Sequence, residues 1–310
     1  MIEIINAIVP VFSIIVAGFI IGKIRFLEQG AATILNRFIF YLTLPALLFH
    51  MTATARPEDL LQYDFALVFM IGSLMSLVLG IVSGKYLFKK KDSKEIILHT
   101  MTITLGNTAY LCIPMLLSLF GTTGGIAAVV GTITVNMPLT AVGICMLQIV
   151  CYKGKDNNWH APFINIIKMP FITASIIGMA CTLLEIKLPL VFLDTAKLFG
   201  SPTMAAALFA VGLSLADLRL HKATMLEVSW VTFAKLIISP LLVLLVCPLF
   251  PSIDPVWKSC AVLLAASPLA STVCVVSANF NSYVEETSST AFISTLLSVL
   301  TLPLFIHWLT

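Results

Sequence analysis

Runs of about twenty apolar residues recur along nearly the whole chain, and no other feature limits its fold so sharply. A bilayer core about 30 Å thick takes about 20 predominantly apolar residues per helix. Such runs lie near residues 3–22, 31–52, 64–88, 95–119 and 124–150, and again near 162–184, 190–216, 224–248, 256–279 and 286–308. They lack the ten-residue alternation of membrane barrel strands, so the expected class is an all-α integral membrane protein with ten transmembrane helices. Only 11% of the 310 residues are charged and the mean hydropathy is +1.04, which leaves a lipid bilayer as the partner of most of the surface. The N-terminal run lacks a basic leader segment and is long for a signal peptide, so it reads as the first span.

Lys153-Gly-Lys-Asp-Asn-Asn-Trp-His160 is the one segment that reads as a connector, and it divides five spans from five. The expected organisation is a first five-helix repeat over 1–152, a central cytoplasmic loop over 153–161 and a second repeat over 162–310. Each half has an odd number of spans, so the second begins on the opposite face and the pair forms an inverted repeat, the plan common in secondary transporters. The halves echo each other: Pro45 and Asn136-Met-Pro138 in one correspond to Pro202 and Thr301-Leu-Pro303 in the other. Basic residues crowd the connections that would face inward, with Lys85, Lys89, Lys90, Lys91 and Lys94 the densest group, whereas the outward ones carry only Arg56, Lys187, Lys197 and Lys258. That bias puts both termini outside.

The net charge of +3 is small and dispersed, which argues against nucleic-acid binding. Seven cysteines, an odd number without a C-x-x-C pair, give no disulfide framework or metal site. No catalytic residues are assigned, since H-E-x-x-H, G-x-S-x-G and phosphate-loop sequences are absent. The expectation is a protein that is not an enzyme and carries no cofactor.

Polar and helix-breaking residues inside spans therefore carry the functional argument. The fourth span contains Thr104-Leu-Gly106-Asn107-Thr108-Ala-Tyr110-Leu-Cys-Ile-Pro114. Pro114 cannot donate to the Tyr110 carbonyl and Gly106 weakens the helix earlier, so amide and hydroxyl groups lie between two weak points. Broken backbone at membrane depth is tolerated where protein or a watery cavity receives it. A simple kink with Asn107 joining neighbouring helices is the competing reading. The ninth span offers a counterpart in Ala266-Ser267-Pro268-Leu-Ala270-Ser271-Thr272. Were the two breaks to cross, the outgoing half-helices would turn N–H groups and positive dipole ends toward an anion. Lys235 is the one basic residue deep in a span, where it reads as an anion contact, as a proton-coupled amine, or as the structural partner of a buried carbonyl or acidic side chain. Asn136, beside Pro138, is a candidate for the cavity wall. His99, near a span end, is expected in a solvated interfacial position.

Gly106-Asn107-Thr108-Ala109-Tyr110-Leu111-Cys112-Ile113-Pro114 and Lys235-Leu-Ile-Ile-Ser-Pro240 together resemble the auxin efflux carrier family in its short bacterial form. The resemblance covers the whole chain. It implies fourth and ninth helices that break and cross, elevator-type movement of one domain against another, and location in a bacterial inner membrane. It also implies a small organic anion as substrate: auxin-like acids in plants, malonate or malate in bacteria. The family's substrate-contacting asparagine carries over to Asn107, and its ninth-helix asparagine is replaced here by Thr272. The expected substrate-binding set is Asn107, Thr108, Tyr110, Asn136, Ser267, Ser271 and Thr272, with Gly106, Pro114 and Pro268 shaping the crossover and Lys235 balancing charge. The bile acid–sodium symporters share the broken-helix plan and are the alternative, alongside a non-transporting receptor or a channel. Proton coupling, sodium coupling, uniport and assembly as a homodimer all stay open.

Overall fold

A computed structural model describes residues 2–28, 30–152, 164, 167–217 and 225–309. The expected central loop, and Arg219 and Lys222 of a second basic connection, fall outside the described residues. The described residues form helices joined by short connections: α1 (Ile2–Lys23), α2 (Ala31–Ala53), α3 (Pro57–Leu87), α4 (Ser93–Thr104), α5 (Thr108–Cys151), α6 (Pro170–Leu183), α7 (Leu190–Ala216), α8 (Met225–Leu249), α9 (Pro255–Ala265), α10 (Ser271–Asn279) and α11 (Val284–Leu309). Among the described residues there is no β-strand, only one isolated bridge between Gly106 and Leu269.

Six of these helices, α2, α3, α5, α7, α8 and α11, are long and apolar enough to cross a membrane; α6, α9 and the part of α1 over Val9–Lys23 are apolar but shorter. The 44 residues of α5 would extend roughly 66 Å if straight, twice the hydrocarbon thickness. Gly121, at φ 61° and ψ −149°, interrupts that run in a conformation that suits glycine. The fourth and ninth apolar runs are each split, at residues 105–107 and 266–270, into shorter helices.

Proline acts on this backbone in a consistent way. Wide π-helical turns at Ile39–Thr43, Thr108–Cys112, Thr132–Asn136 and Ala234–Ile238 end two residues before Pro45, Pro114, Pro138 and Pro240. A proline ring meets the carbonyl four residues back and offers it no N–H. Widening the turn lets the preceding residue bond one position further back, as Leu44 N–H does to Ile39, Met137 to Thr132 and Ser239 to Ala234. Pro114 therefore widens a continuing helix, while the break itself lies nearer Gly106.

Two compact units emerge, each gathered from separated parts of the chain. The first comprises residues 1–63, 109–130 and 165–217. Within it α1 lies along α7 at very close range. A Cβ on Gly18 would fall on the Phe209 carbonyl, one on Gly212 on the Ile15 carbonyl, and one on Gly22 would stand 2.6 Å from the Ala216 Cβ. Gly18 and Gly22 form the small-xxx-small spacing that lets membrane helices approach where no hydrophobic force drives them together. α2 and α6 add hydrogen bonds from Thr182 Oγ1 to the Thr52 carbonyl (2.7 Å) and from Thr52 Oγ1 to that of Ser175 (3.2 Å).

The second unit comprises residues 64–108, 131–164 and 218–310. Its interior includes Phe65 set edge-on to Trp257 with ring centroids 5.1 Å apart, and a cluster of Leu98, Met101, Leu105, Leu269 and Val273. His99 lies inside this unit, with no solvent exposure. This corrects the interfacial position expected for it: three polar partners, Ser83, Glu227 and Tyr283, receive the ring in the interior. Leu190, Val191 and Leu198 on α7 are each 74% exposed, an arrangement costly in water and natural against acyl chains.

The α1–α7 contact predicts that Gly212→Leu will be destabilising, because its side chain would meet main chain instead of a movable side chain. Overpacking of this kind costs about 1–3 kcal/mol. A lowered thermal unfolding midpoint in detergent would register it, and an unchanged midpoint would contradict the packing described.

Candidate functional site

Interrupting a helix leaves main-chain donors and acceptors without their usual partners, and within a membrane each such group costs several kcal/mol. In the second unit the two interruptions solve this jointly. Leu105 leaves α4 in extended geometry, at φ −85° and ψ 120°. The Asn107 N–H then donates to the Pro268 carbonyl at 2.8 Å, and the Ala270 N–H donates to the Leu105 carbonyl at 3.2 Å. These two bonds form the antiparallel bridge between Gly106 and Leu269.

The approach is close enough to require glycine at 106. A Cβ there would collide with the Ser267 hydroxyl and stand 3.1 Å from both the Leu264 carbonyl and Lys235 Nζ. Side chains complete the junction. Asn136 Nδ2 donates to the Gly106 carbonyl and to Thr108 Oγ1, both at 3.1 Å, and Thr132 Oγ1 donates to Thr108 Oγ1 at 2.9 Å. Ser267 Oγ bonds the Leu264 carbonyl at 2.7 Å, and the Leu269 N–H donates to Ser294 Oγ at 3.2 Å.

Lys235 is 1% exposed and has an evident electrostatic task. Its ammonium donates to the Ala265 carbonyl at 3.0 Å and to the Thr104 carbonyl at 3.4 Å. Those carbonyls close α9 and α4, so one positive charge sits at the negative dipole ends of both incoming half-helices. Of the alternatives open for this lysine, the structure supplies a carbonyl partner. The wide turn at Ala234–Ile238, set by Pro240, carries it.

Gly106, Asn107, Thr108, Asn136, Lys235, Ser267 and Pro268 are thus gathered around one junction. Ser271 and Thr272 occupy the first turn of α10 and are exposed. Tyr110 and Pro114 belong to the first unit, on the helix that leaves the junction. Reading the sequence missed Ser294, Ser239 and Thr132. Ser294 had a signal: Thr287, Ala291, Ser294 and Ser298 form a stripe of small residues at helical spacing along α11, all but Ala291 bearing a hydroxyl, and all are buried. Ser239, whose hydroxyl reaches the Ile103 carbonyl at 3.4 Å, sits in the Lys235–Pro240 segment already singled out.

A multi-helix membrane protein with two interrupted helices knitted together by their own main chain belongs to the class that moves solutes across bilayers through such breaks. The chain belongs to the family described as Membrane transport protein, the auxin efflux carrier family, whose model matches residues 3–306. Among its relatives is a Rhizobium meliloti (strain 1021) protein named "Putative malonate transporter", 28% identical over 305 residues that cover 97% of this chain and 94% of that one. An uncharacterized transporter of Escherichia coli (strain K12) is 26% identical over 313 residues, 98% of this chain and 96% of its own. Another, from Methanocaldococcus jannaschii, is 26% identical over 315 residues, 97% of each.

Lys235→Leu should lower stability, because it strands buried carbonyls that cost about 1–3 kcal/mol each when unsatisfied. Thermal unfolding in detergent measures the loss. A variant as stable as the parent would deny the lysine its capping role.

Proposed function

We propose that the protein is a secondary transporter of a small organic anion, a carboxylate of the size of malonate or malate or an auxin-like acid. The bridge at Gly106 and Leu269 carries this reading, because it fixes where the outgoing helices α5 and α10 begin. Their first turns supply N–H groups and the positive ends of two dipoles, a setting that favours an anionic group. Asn107, Thr108, Ser271 and Thr272 lie at those two starts and would add hydrogen bonds, with Asn136 and Ser267 beside them. Lys235, held by carbonyls, would act on the anion through its field. The malonate named for the Rhizobium relative agrees with this chemistry.

In the same proposal the chain forms ten spans, α4 with the start of α5 serving as the fourth and α9 with α10 as the ninth. The spans form inverted repeats over 1–152 and 162–310, joined by 153–161, with both termini outside a bacterial inner membrane. Alternating access is of the elevator type.

Purified protein in liposomes should take up labelled malonate or a close carboxylate with saturable kinetics. Asn107→Ala should abolish that flux while leaving insertion and the detergent unfolding profile intact. Undiminished flux in this variant would remove Asn107 from the site. Flux that never saturates would point to a channel, and tight binding without flux to a receptor.

A further inference from the structure

The second unit holds another polar cluster, separate from the bridge and built from five chain segments. The His99 ring of α4 is fully buried. Its Nδ1 lies 2.7 Å from Glu227 Oε1 on α8 and 3.0 Å from the Tyr283 hydroxyl, and its Nε2 lies 2.9 Å from Ser83 Oγ on α3. Tyr283 donates to the same Glu227 oxygen. The other Glu227 oxygen is 3.2 Å from Lys90 Nζ, which also lies 3.2 Å from Glu95 and 4.6 Å from the centre of the Tyr283 ring. Phe88 covers the imidazole with ring centroids 5.6 Å apart.

Each ring nitrogen has a defined role. Nδ1 faces a carboxylate oxygen and must donate to it. Nε2 faces a hydroxyl that has a choice, because Ser83 Oγ also lies 3.2 Å from the Gly80 carbonyl. With the ring neutral, Ser83 donates to Nε2. With a proton added at Nε2, that nitrogen donates to Ser83, whose own hydrogen turns to Gly80. Both states leave every group bonded, and only a hydroxyl rotates between them. A cluster whose sole task is to join helices needs no such second state.

The groups facing the ring and its carboxylate are Lys90 from the α3–α4 connection, Glu95 from α4, Tyr283 from the α10–α11 connection, and Glu286 from α11, which interacts electrostatically with Lys90, Glu227 and Glu95. Three carboxylates thus share one ammonium beside the imidazole. Burial, with the Glu227 carboxylate behind it, pushes the Tyr283 phenol well above its usual range, so it stays a donor. A route from solvent is also present: the Glu95 side chain is 42% exposed and Lys90 connects it to Glu227, itself 9% exposed.

We propose that His99, set between Glu227 and Ser83, is the proton-binding site of the transport cycle, and that the co-transported ion is a proton. This rests on the transport reading above. One proton adds to Nε2 as the only N–H bond formed, and leaves from the same atom when the site opens to the other side.

Two measurements test it. The first uses His99→Asn, whose amide can still donate to Glu227 but offers no basic nitrogen. In liposomes loaded with a pH dye, the parent protein should move protons together with malonate, and its net uptake should respond to an imposed pH gradient. His99→Asn should lose both responses while malonate–malonate exchange continues; a variant that keeps the gradient response overturns the proposal. The second follows imidazole nitrogens by 15N NMR in detergent, with the His99 signals assigned by their absence from His99→Asn. A second proton arriving at Nε2 on acidification is expected. A ring that keeps a single proton down to the pH at which the protein unfolds overturns the proposal. If the parent moves neither malonate nor a close carboxylate, the transport reading fails and the coupling role falls with it, whereas a working carrier whose His99 takes no second proton overturns the proton site alone.

Discussion

Everything near the junction depends on the mutual satisfaction of two broken backbones. A helix interrupted in hydrocarbon would expose N–H and C=O groups that nothing nearby could meet. Here the break at 105–107 provides what the break at 266–270 lacks, through the Asn107–Pro268 and Ala270–Leu105 bonds. Neither interruption could stand alone at acceptable cost. Glycine at 106 follows from this pairing, since the strands must approach within reach of Ser267 and Lys235.

The charge distribution follows from the same geometry. Two helices end at the junction and two begin there, so it has a negative side and a positive side. Lys235 occupies the negative side, bound to the carbonyls of Thr104 and Ala265. The buried cation therefore satisfies the protein's own carbonyls, and the helix starts at Thr108 and Ser271 are left facing the other way along each chain.

Much of this could be read from residue order, and the rest failed for physical reasons. Apolar run lengths located the helices, because lipid imposes a length on every span. Gly106 and Pro268 marked the junction, since few other residues tolerate such geometry. Pro114 misdirected the reading: a proline inside a helix suggests a break, but a widened turn absorbs it, as at Pro45, Pro138 and Pro240. His99 was misjudged because sequence position gives depth along a helix and says nothing about which face meets a neighbour. Its partners Glu227 and Tyr283 are 128 and 184 residues away, and only tertiary packing brings them together.

The bridge between Gly106 and Leu269 has an evolutionary corollary. Main-chain hydrogen bonds are blind to side-chain identity, so the clasp can persist while the residues flanking it are exchanged. Exposed positions such as Ser271 and Thr272 can be rewritten without loosening what seals the membrane gap. A scaffold of this kind lets new solute preferences arise by a few substitutions, with the architecture inherited unchanged.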